Sequence, residues 1–142
     1  MSMLRELYTQ TIMDHYQRPR NKGALEGADL EEHLLNPLCG DEVTVYANFR
    51  DGKLAEVRFE GRGCSISQAS ASMMTERLSG KSRGEAEAEI ARFKTMMVGK
   101  EEFPETDDLA ALKGVIQYPS RVKCAMLPWD AFKRGLGPGA PS

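Results

Sequence analysis

The 142-residue chain has no surplus of positive charge, little histidine and little cysteine. Lys and Arg number 19 against 21 Asp and Glu, a formal net charge of -2. Nucleic acids and anionic membranes are recognised through a basic excess, so neither is an expected partner. No run approaches the roughly 18 apolar residues of a membrane span, and the polar, charged N-terminus lacks a signal-peptide core. A cytoplasmic location is therefore expected. Three cysteines are an odd number, widely spaced, and do not form the framework of a disulfide-stapled secreted domain. Metal binding or thiol chemistry is the better reading. No Ser-His-Asp set, phosphate loop or pair of catalytic carboxylates can be argued from spacing.

What is present is enough chain for one domain with its own core, without internal repeats. Met3 to Gln17 carries Leu4, Leu7, Tyr8, Ile12 and His15 at helical intervals, with Ser2 as a cap and Pro19 as a stop. Arg18 to Asn36 reads as a long connection rich in Pro, Gly, Asn and acidic residues, which in a small domain hints at function. From Glu42 to Gly61 the period is two. Val43, Val45, Ala47 and Phe49 alternate with polar residues, and Ala55, Val57 and Phe59 do the same around Arg50-Asp51-Gly52-Lys53, a hairpin signal.

Helical patterns follow at Ser65 to Ser79, with Ile66, Ala69, Met73 and Met74 inward, and from the capping box Ser82-Arg83-Gly84-Glu85 to Gly99. Thr106 is expected to cap a short helix through Leu112. Ser120 is expected to open the last helix, with Pro128 kinking it or starting a second piece. The paired methionines read as core filling. The domain is expected to span residues 1–134, with Gly135 to Ser142 a disordered Gly/Pro-rich tail.

The chemistry gathers at Pro37-Leu38-Cys39-Gly40-Asp41, where a thiol and a carboxylate stand two positions apart around a glycine. A helix cannot present both on one face, but a tight turn can aim both at one metal ion. The hairpin brings its outer ends together, so Cys39 and Cys64 are expected to be neighbours. Cys64 falls at a helix start, where free amides favour a thiolate. Cys124 has Arg121 and Lys123 nearby. Three thiolates and one oxygen select zinc or iron, and the harder Asp41 carboxylate makes an exchangeable position. His15, on an apolar stripe, and His33, in an acidic loop, are poor candidate ligands.

The segments Asp14-His15-Tyr16-Gln17-Arg18-Pro19-Arg20-Asn21, Asn36-Pro37-Leu38-Cys39-Gly40-Asp41, Gly61-Arg62-Gly63-Cys64-Ser65-Ile66-Ser67-Gln68-Ala69-Ser70 and Arg121-Val122-Lys123-Cys124-Ala125-Met126-Leu127 resemble the U-type iron-sulfur cluster assembly proteins. This is the IscU and NifU N-terminal superfamily, and the likeness is to its SufU branch. Lys123 stands where the IscU branch has a histidine, extra sequence lies at about Met96 to Leu112, and the IscU Leu-Pro-Pro-Val-Lys motif is replaced by Tyr118-Pro119-Ser120-Arg121-Val122-Lys123.

The resemblance implies an α+β fold, a three-stranded antiparallel sheet with helices on one face. The period count finds no third strand; the resemblance places it at Glu31 to Leu38. It further implies zinc held by Cys39, Asp41, Cys64 and Cys124, and sulfur transfer from a pyridoxal-phosphate-dependent, SufS-like cysteine desulfurase. Cys39 is the expected acceptor, Cys124 the second choice, and Arg121 the stabiliser of the anionic sulfur. The alternative implied role is a scaffold that holds a nascent iron-sulfur cluster, or iron, at the same residues and donates it to apo-proteins. On either reading the chain is a partner of a desulfurase or of downstream cluster proteins rather than a stand-alone enzyme.

Overall fold

The computed structural model describes residues 3–37, 40–99 and 107–137. Helix α1 (Met3–Gln17) is followed by strands β1 (Leu30–Leu35), β2 (Glu42–Arg50) and β3 (Lys53–Arg62), and then by helices α2 (Ser65–Leu78) and α3 (Arg83–Met97). A 3₁₀ helix (Asp108–Val115) and helix α4 (Pro119–Leu136) complete the chain. The sheet is antiparallel in the order β1-β2-β3. Val43, Val45, Ala47, Leu54, Val57 and Phe59 form its core side, against which α2 and α4 pack. The expected α+β arrangement is thus the observed one. Among the described residues no helix is long and apolar enough to cross a membrane.

The β2-β3 turn holds Asp51 at φ 53° and Gly52 at φ 77°, the two positive values a tight hairpin requires. One detail departs from simple alternation. The register slips between Asn48 and Phe49, so that Asn48 faces Glu56 and Phe49 faces Leu54. Leu54 is buried and Ala55 is exposed, where the sequence pattern expects Ala55 inward. A bulge moves one residue out of the period, and the larger apolar side chain takes the core position.

Strand β1 starts one residue before the expected place and ends at Leu35 rather than Leu38. Its core face carries Leu30, Glu32 and Leu34, and this mixed face hides the period of two. Glu32 lies 3.5 Å from Arg134 Nε at the end of α4. His33 is on the exposed opposite face of this strand, not in a loop.

Helix α2 is central. Its buried run from Ser67 to Thr75 includes four serine and threonine side chains, each needing a partner. Ser70 Oγ donates to the Ala125 carbonyl at 2.5 Å and accepts from Trp129 Nε1 at 3.0 Å, which ties α2 to α4. Trp129 in turn stacks on Phe93 of α3, ring centres 4.2 Å apart.

The Ser82 capping box at the start of α3 is formed in both directions. The 3₁₀ helix is capped by Asp107, whose side chain accepts from the Leu109 amide; the expected cap Thr106 lies outside the described residues, as does Ser2. Helix α4 runs through Pro128 without a break and begins at Pro119, whose missing amide costs nothing at a first helical position. It also takes in Gly135 and Leu136, which the sequence reading assigns to the tail. Leu136 is 3% exposed, and Gly135 lies so close to Leu30 that a Cβ would meet its Cδ2 at 2.9 Å. Residues 138–142 lie outside the described residues.

Candidate metal centre

Asp41, Cys64 and Cys124 come from three distant parts of the chain, and one ligand atom of each lies within 4.8 Å of the others. Asp41 is 3% exposed, Cys124 2%, and Cys64 is half-buried. Cys39 lies outside the described residues.

Asp41 is placed by the β1-β2 connection. The Gly40 amide donates to the Asn36 carbonyl and the Asn36 amide to the Asp41 carbonyl, each at 2.8 Å. Gly40 has φ 77°, the backbone state that the turn needs and that a side chain would oppose. The carboxylate then reaches the start of α2. Its Oδ1 accepts from the Cys64 amide at 3.1 Å, and the Cys64 thiol donates to Oδ2 at 3.3 Å.

The glycines before Cys64 make room for this approach. A Cβ on Gly63 would sit 2.5 Å from Asp41 Oδ1 and 2.8 Å from Ser67 Oγ. A Cβ on Gly61 would sit 2.4 Å from the Glu42 carbonyl oxygen. Both positions therefore require the absence of a side chain, one for the carboxylate and one for the paired backbone. Cys64 itself is the N-cap of α2 with extended backbone and makes no side-chain cap bond, so its sulfur is left to the centre.

Cys124 belongs to the first half of α4. The Ser70 bond to the neighbouring Ala125 carbonyl fixes that turn of α4 against α2, which is what sets Cys124 opposite Cys64. Pro128, four residues on, has no amide to give to the Cys124 carbonyl. Arg121 and Lys123 are exposed on α4, Arg121 one turn before Cys124. Ser70 stands at the end of the Gly61 to Ser70 motif as a small residue for close packing; its hydrogen-bonding role between α2 and α4 is what the sequence does not reveal.

Two thiols and a buried carboxylate suit a borderline or soft divalent ion, and a fourth donor completes a tetrahedral set. The described donor set fits such an ion. Neither histidine joins it: His33 faces outward on β1, and His15 is bonded elsewhere, to Ser72 and Asp108. The sequence pattern puts His15 on an apolar stripe, but the stripe carries it to polar partners. The conspicuous segment around it is architectural. The Arg20 amide donates to Ser72 Oγ at 2.8 Å and Asn21 Nδ2 to Thr75 Oγ1 at 3.1 Å, fastening the end of α1 to α2. Arg20 and Arg18 also hold the Asp14 carboxyl below its ordinary range by hydrogen bonding.

An independent comparison of the sequence matches residues 7–133 to the NifU-like N-terminal domain. The chain is 44% identical over 132 residues to the zinc-dependent sulfurtransferase SufU of Bacillus subtilis, covering 92% of this chain and 89% of that one. It is 38% identical over 138 residues to the iron-sulfur cluster assembly scaffold protein IscU of Streptococcus pyogenes, covering 96% and 86%. Among solved structures, the N-terminal part of a NifU-like protein from Brucella abortus superposes with a TM-score of 0.82 at 26% identity, covering 95% of each chain.

Proposed function

The chain belongs to the NifU-like N-terminal domain family, and from that premise we propose that it is an iron-sulfur cluster assembly protein that accepts persulfide sulfur from a pyridoxal-phosphate-dependent, SufS-like cysteine desulfurase. It relays that sulfur to downstream cluster assembly. The observation that carries this reading is the convergence of Asp41, Cys64 and Cys124 within 4.8 Å, in a chain similar at 44% identity to a protein named for zinc-dependent sulfur transfer.

In this reading Cys39 joins Asp41, Cys64 and Cys124 to hold zinc. When bound, zinc would keep the cysteine ligands as thiolates, deprotonated yet protected. Cys39 is the acceptor. Its thiolate attacks the terminal sulfur of the desulfurase persulfide; a new sulfur-sulfur bond forms at Cys39, the donor's sulfur-sulfur bond breaks, and the donor cysteine departs as a thiolate. Cys124 is the second choice, its 2% exposure being the argument against first contact with an incoming persulfide. Arg121, exposed one turn before Cys124, stabilises the anionic sulfur product.

The test is desulfurase turnover on L-cysteine with and without the zinc-loaded chain. Stimulation with zinc retained is expected, together with slower transfer by Arg121→Ala. Transfer at the wild-type rate by that variant removes Arg121 from the mechanism. The scaffold reading draws on the similarity to proteins named IscU. It takes precedence if turnover is unchanged and a coloured cluster forms on adding iron and sulfide.

A further inference from the structure

His15 is fully buried, yet neither of its ring nitrogens faces an apolar neighbour. Nδ1 lies 2.8 Å from Ser72 Oγ, and Nε2 lies 2.7 Å from Asp108 Oδ2 and 3.9 Å from Glu76 Oε1. One hydrogen bond, to Asp108, satisfies Nε2; the second carboxylate adds nothing to it. Glu76 and Asp108 are about half exposed on the solvent side, at 50% and 54%. Among the described residues neither forms an ion pair with a lysine or arginine. Nearby arginines are engaged elsewhere, Arg20 with Asp14 and Arg77 with Glu89 and Asp107. Two carboxylates thus converge on one imidazole nitrogen without a fixed countercharge, and His Nε2, Glu76 and Asp108 each offer a ligand atom within 4.8 Å of the others.

The support behind the ring is that of a ligating histidine. Ser72 Oγ accepts the Arg20 amide at 2.8 Å and keeps a second lone pair for an Nδ1 proton. With the proton on Nδ1, the Nε2 lone pair is free for a ligand, with Asp108 Oδ2 at 2.7 Å and Glu76 Oε1 at 3.9 Å. Outer hydrogen bonds of this kind fix the tautomer and orientation of metal-binding imidazoles.

We propose that His15, Glu76 and Asp108 form a second divalent-metal site, joining α1, α2 and the 3₁₀ helix. Its nitrogen and oxygen donors and its open solvent side, where waters complete the shell, suit harder first-row ions such as Mn²⁺ or Fe²⁺, whereas the thiolates of the first centre suit zinc. The cation takes the Nε2 lone pair, and the neutral imidazole carries its one proton on Nδ1, toward Ser72 Oγ. The site is independent of the sulfur-transfer reading, because it shares no residue with the cysteine centre.

Mn²⁺ is the probe, since it competes poorly for thiolates. Titrating the full chain and following the loss of the free Mn²⁺ electron paramagnetic resonance signal is expected to show about one ion bound per chain, with the His15 ring signals broadened in the nuclear magnetic resonance spectrum. Glu76→Gln changes a half-exposed side chain that makes no hydrogen bond to His15, so the fold is kept; a roughly tenfold or greater loss of Mn²⁺ affinity is expected. Cys64→Ser is expected to leave Mn²⁺ binding unchanged. No uptake up to millimolar Mn²⁺, uptake undiminished by Glu76→Gln, or loss of Mn²⁺ binding in Cys64→Ser overturns the proposal.

Discussion

The two polar clusters that share helix α2 are built in opposite ways. At its N-terminus, Asp41 and Cys64 are brought together by turns and by glycines that remove side chains from the path. On the flank of the same helix, His15, Ser72, Glu76 and Asp108 meet because three separate elements pack together. In the first cluster the pair of Asp41 and Cys64 is set by local backbone chemistry and only Cys124 by helix packing; the second cluster is made by tertiary packing throughout. Disturbing the pair of Asp41 and Cys64 should therefore change ligand chemistry more than stability, and removing a buried support of the second cluster, such as Ser72, should do the reverse.

The strongest way to break the comparison is Gly63→Ala. The added Cβ would press on the Asp41 carboxylate at 2.5 Å, and the backbone at φ 157° opposes a side chain. A roughly 10–100-fold loss of zinc affinity is expected in a chelator competition, with Mn²⁺ binding at the His15 cluster retained. Equal zinc affinity would show that Asp41 is not held by the glycine.

Ser72→Ala sharpens the other side. It strips a partner from the buried His15 Nδ1 and from the Arg20 amide. A loss of about 1–3 kcal/mol in urea unfolding is expected, the cost of leaving buried polar groups unpaired, while zinc affinity at the cysteine centre stays at the wild-type value. A fall in zinc affinity equal to that of Gly63→Ala would erase the distinction.

The smallest effect belongs to a site remote from both. Ser82→Ala removes the cap of α3 and should cost about 1 kcal/mol. The Ser82 amide and hydroxyl hold the Glu85 carboxyl below its ordinary value of 4.5. The folded value is lowered, so this contribution is fully present above pH 4.5 and is lost as pH falls through the depressed folded value. Wild type and Glu85→Gln should accordingly converge in stability on acidification, whereas the cost of Ser82→Ala, which keeps the amide that donates to Glu85, should persist.

Much of the molecule was legible in the sequence for the same reason that the first cluster is. Met3–Gln17 carries a full helical period before Pro19, and Asp51-Gly52 admits only a tight turn, so α1 and the hairpin were readable from local signals. Hairpin pairing brings the outer ends of its strands together, which is why the sequence points to Cys39 beside Cys64; Cys39 lies outside the described residues, and Asp41, two positions on, meets Cys64. What stayed hidden depends on contacts. Strand β1 places Glu32 on its inner face beside Arg134, Leu54 displaces Ala55 through a bulge, and α4 continues through Gly135 because that glycine fits against Leu30. His15 looked apolar because its neighbours on α1 are; its partners Ser72 and Asp108 lie 57 and 93 residues away.

The most direct test of sulfur acceptance is the mass of the intact chain after one turnover of a cysteine desulfurase with L-cysteine, measured without reductant. The chain should gain one sulfur atom in the wild type and in Glu76→Gln, and should fail to gain it in Cys39→Ala. A wild-type chain that gains no sulfur, or a Cys39→Ala chain that gains as much as the wild type, would contradict the account.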